Sequence, residues 1–284
     1  MSLPGLLRPA RRPRGWVAPG PAPAGDQGRP ELRPGPDEDL CYLSGDWRLF
    51  QKRRGHRWSV DDLVTAHAAS EQLEHLRAHG PIEALDLGCG LGSVLLMVAW
   101  RAPDCSITGV EAQPERAAMA RRSIGFNGVT ARCRVIDGDL RTLELGARFG
   151  LITGTPPYFP LGTGTQTDAE HINACRFEHR GGVEAYLATA ERHLAAHGRF
   201  VMCAASLEDQ RVLESETRLR PTNVRHLVPR EGKAALVTVW TFAFDAPTEP
   251  ARDQLTVRDG HGQWTEPFRA VRTAMGMPTA PPDR

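Results

Sequence analysis

The sequence predicts an α/β fold whose central sheet has seven mostly parallel strands and ends in an antiparallel hairpin. Short apolar runs alternate with amphipathic helical segments from about residue 80 to residue 217, which is typical of strand–helix–strand units with parallel strands. A glycine-rich turn, Gly88-Cys89-Gly90-Leu91-Gly92, follows the first of these strands. The last two predicted strands are separated only by a tight turn at residues 230–233, and so short a connection requires antiparallel strands.

The individual elements follow from local signals. Ser59, with Asp62 three residues later, resembles a capping box and predicts a helix that runs to about residue 78. Pro114 predicts a helix that starts there and runs to about residue 126. Further helices are expected at residues 94–101, 183–196 and 207–217. The sheet strands are expected at residues 84–87, 107–110, 134–136, 151–153, 199–204, 224–228 and 235–244, and a separate short strand or hairpin arm is expected at 46–51.

Composition divides the chain into three regions. Residues 1–40 are dense in proline, glycine and arginine and poor in large apolar residues, so we expect a disordered tail that cannot bury enough surface to offset its ordering entropy. Residues 41–246 form the predicted catalytic domain, and residues 247–284 form a C-terminal extension that we expect to be partly ordered. The formal net charge of +1 gives no global polyanion-binding signature, although a local basic patch is compatible with it.

The cysteines and the hydropathy pattern indicate a cytoplasmic protein. None of the six cysteines forms a Cys-x-x-Cys pair or lies at finger spacing from a histidine, so we expect reduced thiols and no metal site. No run of about 18 apolar residues is present, so no membrane span is expected. The sequence gives no indication of oligomeric state.

A nucleoside cofactor is predicted from polar residues at successive strand ends. Asp86, Gly88 and Gly90 lie at the first strand–helix turn, where glycines allow close backbone approach and a carboxylate can meet a cationic amino-acid group. Glu111 ends the second strand and is expected to bind ribose hydroxyls, while Asp139 follows the third strand and is expected to receive an adenine amino group. This pattern favours S-adenosylmethionine. A nicotinamide dinucleotide is the alternative, and Ser93 counts against it because its position is Gly or Ala in the dinucleotide pattern.

A proline-rich loop follows the fourth strand and carries the predicted catalytic residues, Thr155, Pro156, Pro157 and Tyr158. This loop resembles the [Asn/Asp]-Pro-Pro-[Tyr/Phe] motif of methyltransferases that act on exocyclic or amide nitrogens, in every position but the first. The prolines stiffen the loop, and the aromatic ring is suited to stacking on a planar acceptor. The resemblance implies that the residue at position 155 holds the amine and that Tyr158 stacks on the acceptor.

Four further segments are similar to those of the bacterial tRNA(Val) adenine-N6 methyltransferases. They are the run of residues 51–61 from Gln51 to Asp61, Ala174-Cys175-Arg176-Phe177-Glu178, the hairpin turn at 228–233, and the tail from Leu255 through Trp264-Thr265. The resemblance covers roughly residues 42–275 and implies a Rossmann-like class I methyltransferase fold, S-adenosylmethionine, and N6 of a tRNA adenine as acceptor. Thr155 departs from the asparagine of the family and has no amide to hold an amine, so another acceptor is compatible with the scaffold.

Basic residues next to the place where the substrate is expected to enter suggest contacts with RNA phosphates. They are Lys52, Arg53, Arg54 and Arg57. A second cluster contains Arg218, Arg220, Arg225, Arg230 and Lys233. Two other functions remain open at this point: methylation of a protein amide or a small molecule, and cofactor binding without turnover.

Overall fold

An eight-stranded sheet forms the centre of the protein. The computed structural model describes residues 13–55, 57–157 and 182–280. The strands are β1 (Glu38–Tyr42), β2 (Arg48–Lys52), β3 (Glu83–Leu87), β4 (Ser106–Glu111), β5 (Cys133–Asp137), β6 (Phe149–Gly154), β7 (Leu194–Ala205), β8 (Arg220–Val228), β9 (Val237–Ala243) and β10 (Ala251–Thr256). The helices of the described residues are α1 (Val60–Glu71), α2 (Leu73–Arg77), α3 (Ser93–Arg101), α4 (Pro114–Asn127), α5 (Val183–His193), α6 (Asp209–Glu214) and α7 (Glu266–Ala274).

The sheet topology confirms the predicted α/β class. The strand order is β10-β8-β9-β7-β6-β3-β4-β5, and β9 alone runs antiparallel to its neighbours. The number of strands was predicted wrongly, because β10 adds an eighth strand parallel to β8. Only Leu255 of β10 is buried, so this edge strand lacks the apolar alternation by which strands are recognised. The separate hairpin of β1 and β2 is also present.

Helices cover both faces of the sheet and create two apolar layers. The first layer contains Leu63 of α1 and Leu96 of α3, and the second contains Leu187 of α5. Strand β7 serves both layers, because Val201 faces the first and Phe200 faces the second, as alternating side chains of a strand must.

Three predicted helix boundaries differ from the structure. The helix predicted to end at 196 ends at His193, because Leu194 instead pairs with Phe149 and begins β7. The helix predicted at 207–217 is a 3-10 turn at Ser206–Glu208 followed by the short α6. The helix predicted to run to residue 78 is interrupted at Gln72, although its capping box of Ser59 and Asp62 is present.

Residues 13–40 do not form the expected disordered tail. Leu32 is buried against the first apolar layer, and the Gly25 amide donates to the Phe126 carbonyl over 2.9 Å. The Arg122 guanidinium donates to the backbone carbonyls of Glu31 and Arg33 at 2.7 and 2.8 Å. These contacts offset the conformational entropy that the segment loses on ordering, and composition alone does not reveal them. Residues 1–12 lie outside the described residues.

Candidate active site

Four neighbouring parallel strands bring the predicted cofactor and catalytic residues to one edge of the sheet. Leu87 of β3 pairs with Val110 of β4 on one side and with Gly154 of β6 on the other. Glu111 pairs with Asp137 of β5. The glycine turn, Glu111, Asp139 and Thr155 therefore follow the carboxyl ends of adjacent strands, which is where ligands bind in open α/β sheets.

The glycine turn is held in place by Glu111. Gly88, Gly90 and Gly92 have φ angles of 61°, 55° and 83°, a region that favours glycine. The buried Glu111 carboxylate accepts from the Gly90 amide at 2.9 Å and from the Gln113 amide at 2.7 Å, one bond to each oxygen. Each oxygen keeps a further lone pair, so Glu111 can still accept from a ligand hydroxyl.

Asp86 is a buried carboxylate beneath this turn, and it is incompletely satisfied. Its Oδ1 accepts from Thr153 Oγ1 at 2.7 Å, whereas Oδ2 has no hydrogen-bond partner among the described residues. Burial raises the pKa of Asp86 to about 6, and the nearby Glu111 carboxylate adds to the rise, while the hydrogen bond from Thr153 and the nearby Leu95 amide oppose it. A cationic group beside Oδ2 would remove the cost of the unpaired oxygen.

Tyr186 of α5 lies between the glycine turn and the catalytic strand. A Cβ atom on Gly88 would overlap the Tyr186 hydroxyl, and one on Gly154 would lie 2.6 Å from the Tyr186 ring. Glycine at both positions is therefore needed for the ring to fit. Burial raises the pKa of the Tyr186 hydroxyl, with the carboxylates of Glu111 and Asp86 adding to the effect, so the phenol stays protonated. The sequence offered no signal for this residue beyond an aromatic on a helix.

Asp62 connects the segment that precedes α1 to the cofactor turn. Its carboxylate accepts from the Ser59 amide at 2.8 Å and from Ser93 Oγ, at the start of α3, at 2.7 Å. Burial raises the pKa of Asp62 to about 7, and the Asp61 carboxylate contributes to the rise. The sequence identified Asp62 as a helix cap but not as a link to Ser93.

Asp139 follows the same strand edge but is engaged within its own loop. Its carboxylate accepts from the Arg141 amide at 3.0 Å and forms an ion pair with the Arg141 guanidinium at 2.6 Å. It thereby caps the 3-10 turn Leu140–Thr142. Its predicted role toward adenine stays a prediction.

The predicted RNA contacts before α1 are largely neutralised by the protein itself. Lys52 Nζ lies 2.8 Å from Asp37 and 2.9 Å from Glu115, and Arg57 forms an ion pair with Asp39 at 2.6 Å. The Arg53 guanidinium donates to the Glu38 carbonyl at 3.0 Å. Arg54 is exposed.

The catalytic loop is described only in part. Thr155 and Pro157 are half-buried and Pro156 is buried, directly after Gly154 of β6. Tyr158 lies outside the described residues, as does the family-like segment at 174–178. The hydrogen bond from Thr153 to Asp86 ties the strand that leads into this loop to the strand that leads into the cofactor turn.

Two absences apply to residues 13–55, 57–157 and 182–280. No helix there is long and apolar enough to cross a membrane. No group of three histidine, cysteine or acidic side chains is placed to hold a metal ion within those ranges.

The residues present fit S-adenosylmethionine. The unpaired Oδ2 of Asp86 can accept from its ammonium group, and the remaining lone pairs of Glu111 can accept from its ribose hydroxyls. The backbone of Gly88 and Gly90 leaves room for close approach of the ligand.

Comparison with known proteins finds methyltransferases among the proteins that this chain resembles. A family model described as a methyltransferase domain matches residues 84–163. A tRNA1(Val) (adenine(37)-N6)-methyltransferase from Actinobacillus succinogenes is 30% identical over 189 residues, which are 65% of this chain and 78% of that relative. A release factor glutamine methyltransferase from Chlorobaculum tepidum is 31% identical over 149 residues, 47% of this chain and 46% of that relative.

A solved structure shows the same fold. The crystal structure of a predicted O-methyltransferase from Agrobacterium tumefaciens superposes with a TM-score of 0.58 at 18% identity, covering 75% of this chain and 97% of that one. The sheet, the cofactor turn and the similarity to a relative over most of its length lead to one conclusion. This chain is a class I S-adenosylmethionine-dependent methyltransferase and belongs to the family of the tRNA1(Val) (adenine(37)-N6)-methyltransferases.

Proposed function

We propose that this enzyme methylates the exocyclic amine of a tRNA base, namely N6 of an adenine. The names of its relatives support this acceptor. The observation that carries the proposal is the hydrogen bond between Thr153 Oγ1 and Asp86 Oδ1. It fixes the strand before the Thr155-Pro156-Pro157 loop against the strand before the cofactor turn, so acceptor and cofactor are held next to each other.

Asp86, Gly88, Gly90, Glu111 and Asp139 hold the cofactor in this proposal. Asp86 accepts from the ammonium group, Glu111 accepts from the ribose hydroxyls, and the two glycines allow the ligand to approach the backbone. Asp139 receives the adenine amino group, for which its carboxylate must share or release Arg141. When bound, S-adenosylmethionine supplies an electrophilic methyl group on a sulfonium.

The catalytic loop orients the acceptor. Pro156 and Pro157 fix the backbone, and Thr155 accepts a hydrogen bond from the amine through its hydroxyl or carbonyl oxygen. Tyr158 stacks on the base, as the family motif implies. The loop would hold the amine nitrogen toward the methyl group that the cofactor would supply, and water would take the extra proton from the methylated nitrogen. Positioning supplies most of the barrier reduction, so no strong base is required.

A protein amide is the second candidate acceptor. The similarity to a release factor glutamine methyltransferase favours it. A glutamine side chain is planar like a base and presents the same kind of nitrogen. If a protein glutamine were the acceptor, RNA binding would have no role in turnover.

Methyl transfer from labelled cofactor separates the two candidates. Purified enzyme is incubated with total tRNA in one reaction and with ribosome-associated proteins in another, and digested tRNA is analysed for N6-methyladenosine by mass spectrometry. We expect label in N6-methyladenosine, with the Glu111→Ala enzyme as the inactive control. Label confined to protein would refute the tRNA assignment. A tRNA substrate would also place the enzyme in the cytoplasm.

The Thr155→Asn variant tests the acceptor independently. Asparagine can both accept from an amine and donate, so this change should maintain or raise transfer to adenine N6. Loss of transfer in Thr155→Asn, with unchanged cofactor affinity, would contradict adenine as the natural acceptor.

A further inference from the structure

The β8–β9 turn, the loop after β10 and Leu207 form a ledge beside the catalytic loop. We define this ledge as Leu207 and residues 229–236 and 257–265. We propose that this ledge binds the RNA strand that flanks the target base, with Arg230, Lys233 and Arg258 on its phosphates and Leu207 and Leu236 against its bases. This inference rests on the proposed tRNA substrate and assigns the surface that holds it.

The strand registers place the ledge at the edge of the active site. Val237, the first residue of β9, pairs with both Leu227 of β8 and Ala205 of β7. Gly154 pairs with Met202, three residues before Ala205. The ledge therefore begins roughly 10 Å above the end of β6 and roughly 10 Å to its side, from a rise of about 3.3 Å per residue and about 4.8 Å between strands.

The ledge is internally braced. The Glu231 amide donates to the Arg258 carbonyl at 2.8 Å, and the Gly260 amide donates to Glu231 Oε2 at 2.9 Å. Asp259 Oδ1 accepts from the amides of His261 and Gln263 at 2.9 and 2.8 Å. The two carboxylates of the ledge are thus engaged by its own backbone, and neither is ion-paired to the basic side chains beside it within the described residues.

Its cations remain available. Arg230 and Lys233 are exposed and have no carboxylate partner among the described residues, and the exposed Arg258 donates to the Gly262 carbonyl at 2.7 Å. A guanidinium has five N–H donors, so Arg258 keeps several for a phosphate. Positive side chains without carboxylate partners, next to a site for a nucleic-acid base, suit phosphate contact.

The other basic residues of the second cluster are not assigned to RNA phosphates, because each already has a partner within the protein. Arg218 is paired with Glu191 at 2.6 Å. Arg225 is paired with Asp253 at 2.7 Å and with Glu71 at 2.9 Å. Arg220 begins β8, at the opposite edge of the sheet, and donates to the carbonyls of its own turn.

Two exposed leucines lie at the same edge of the sheet as these cations, because Leu207 follows β7 and Leu236 directly precedes β9. Leu207 is 65% exposed and Leu236 is 56% exposed, and the Ser206 amide donates to the Leu236 carbonyl at 3.2 Å, which holds the two segments together. Exposed apolar side chains grouped at one place mark an interaction surface. Apolar surface bordered by cations is complementary to unstacked bases on a phosphate backbone.

A charge-matched pair of double variants tests the ledge. The first is Arg230→Gln with Lys233→Gln. The control is Arg101→Gln with Arg148→Gln, which removes two exposed cations at the opposite edge of the sheet, where α3 ends and β6 begins. Unfolding temperature and cofactor affinity should be unchanged in both.

Binding of unmodified tRNA is measured by fluorescence anisotropy as a function of salt. Loss of two phosphate contacts should lower the slope of log K against log salt by about 1.4 in the ledge variant, at about 0.7 per contact, and leave the control as wild type. The KM for tRNA should rise about tenfold or more while kcat stays unchanged. Equal slopes in the two variants would overturn the ledge assignment.

A Leu236→Ser variant isolates the apolar part of the surface. Its tRNA affinity should fall severalfold without a change in salt slope, because no charge is lost. Unchanged tRNA affinity would assign Leu236 to another partner, such as a protein, and contradict this part of the inference. A wild-type enzyme that methylates protein but neither binds nor methylates tRNA would instead refute the proposed function itself, before any variant is compared.

Discussion

A double-mutant cycle between Gly88 and Tyr186 tests the packing at the base of the cofactor turn. Gly88→Ala places a Cβ into the Tyr186 hydroxyl and forces alanine to a φ of 61°. The left-handed conformation costs roughly 1–2 kcal/mol and the overpacking about 1–3 kcal/mol more. We therefore expect Gly88→Ala to lower the free energy of unfolding by about 2–5 kcal/mol in the otherwise wild-type protein.

The Tyr186→Phe background should remove only the steric part of this cost. Without the hydroxyl, the nearest ring atom to the added Cβ is Cζ at 3.4 Å, which is an ordinary contact. Gly88→Ala should then cost roughly 1–2 kcal/mol, the conformational part alone. Gly90→Ala is the matched control, because its φ is 55° and its nearest neighbour, Arg116 Nη1, lies 3.5 Å away.

Urea unfolding followed by circular dichroism measures all of these variants. Gly90→Ala should cost the same in both backgrounds, and Gly88→Ala should cost about 1–3 kcal/mol less in Tyr186→Phe. If Gly88→Ala costs the same in both, the hydroxyl does not fill the space above Gly88, and the account of this contact is wrong.

Three other predictions concern the site and its support. The pKa of about 6 at Asp86 means that the carboxylate ionises as pH rises from 5 to 7, so cofactor affinity should rise over that range; in Asp86→Asn, affinity should be weaker and flat with pH by calorimetry. Glu111→Gln should weaken cofactor binding by about 1–3 kcal/mol in the same titration, since one acceptor of the turn and ribose is lost; an unchanged affinity would remove Glu111 from the site. Leu32→Ala should lower the free energy of unfolding by about 2–5 kcal/mol in urea, and no effect would show that residues 13–40 are not packed as described.

The elements around the active site were predictable because their signals are local. The apolar run before Gly88, the proline at Pro114 and the capping box at Ser59 each depend on neighbours within a few residues, and all three mark real elements. Helix α7 carried such a signal too, with Thr265 as N-cap and apolar residues at 268, 271 and 275, but it was not identified.

The unpredicted features depend on contacts between distant parts of the chain. Thr153 forms a hydrogen bond with Asp86, which lies 67 residues away in sequence, and no short sequence pattern predicts such a pair. Lys52 was predicted to contact RNA because its ion-pair partner Glu115 lies far from it in sequence and could not be anticipated. Electrostatic neutralisation is set by tertiary structure, so a basic cluster in a sequence overestimates the charge that a ligand meets.

Strand β10 protects the sheet from association with other chains. Without it, β8 would be an edge strand, and its unpaired backbone groups would offer a template for another strand. The side chains at positions 251–254 of β10 are exposed and include Arg252 and Asp253, and charges of this kind discourage further pairing. A chain cut at residue 246, the boundary suggested by composition, would lose this protection. Such a fragment should aggregate even though every residue of the cofactor site is retained.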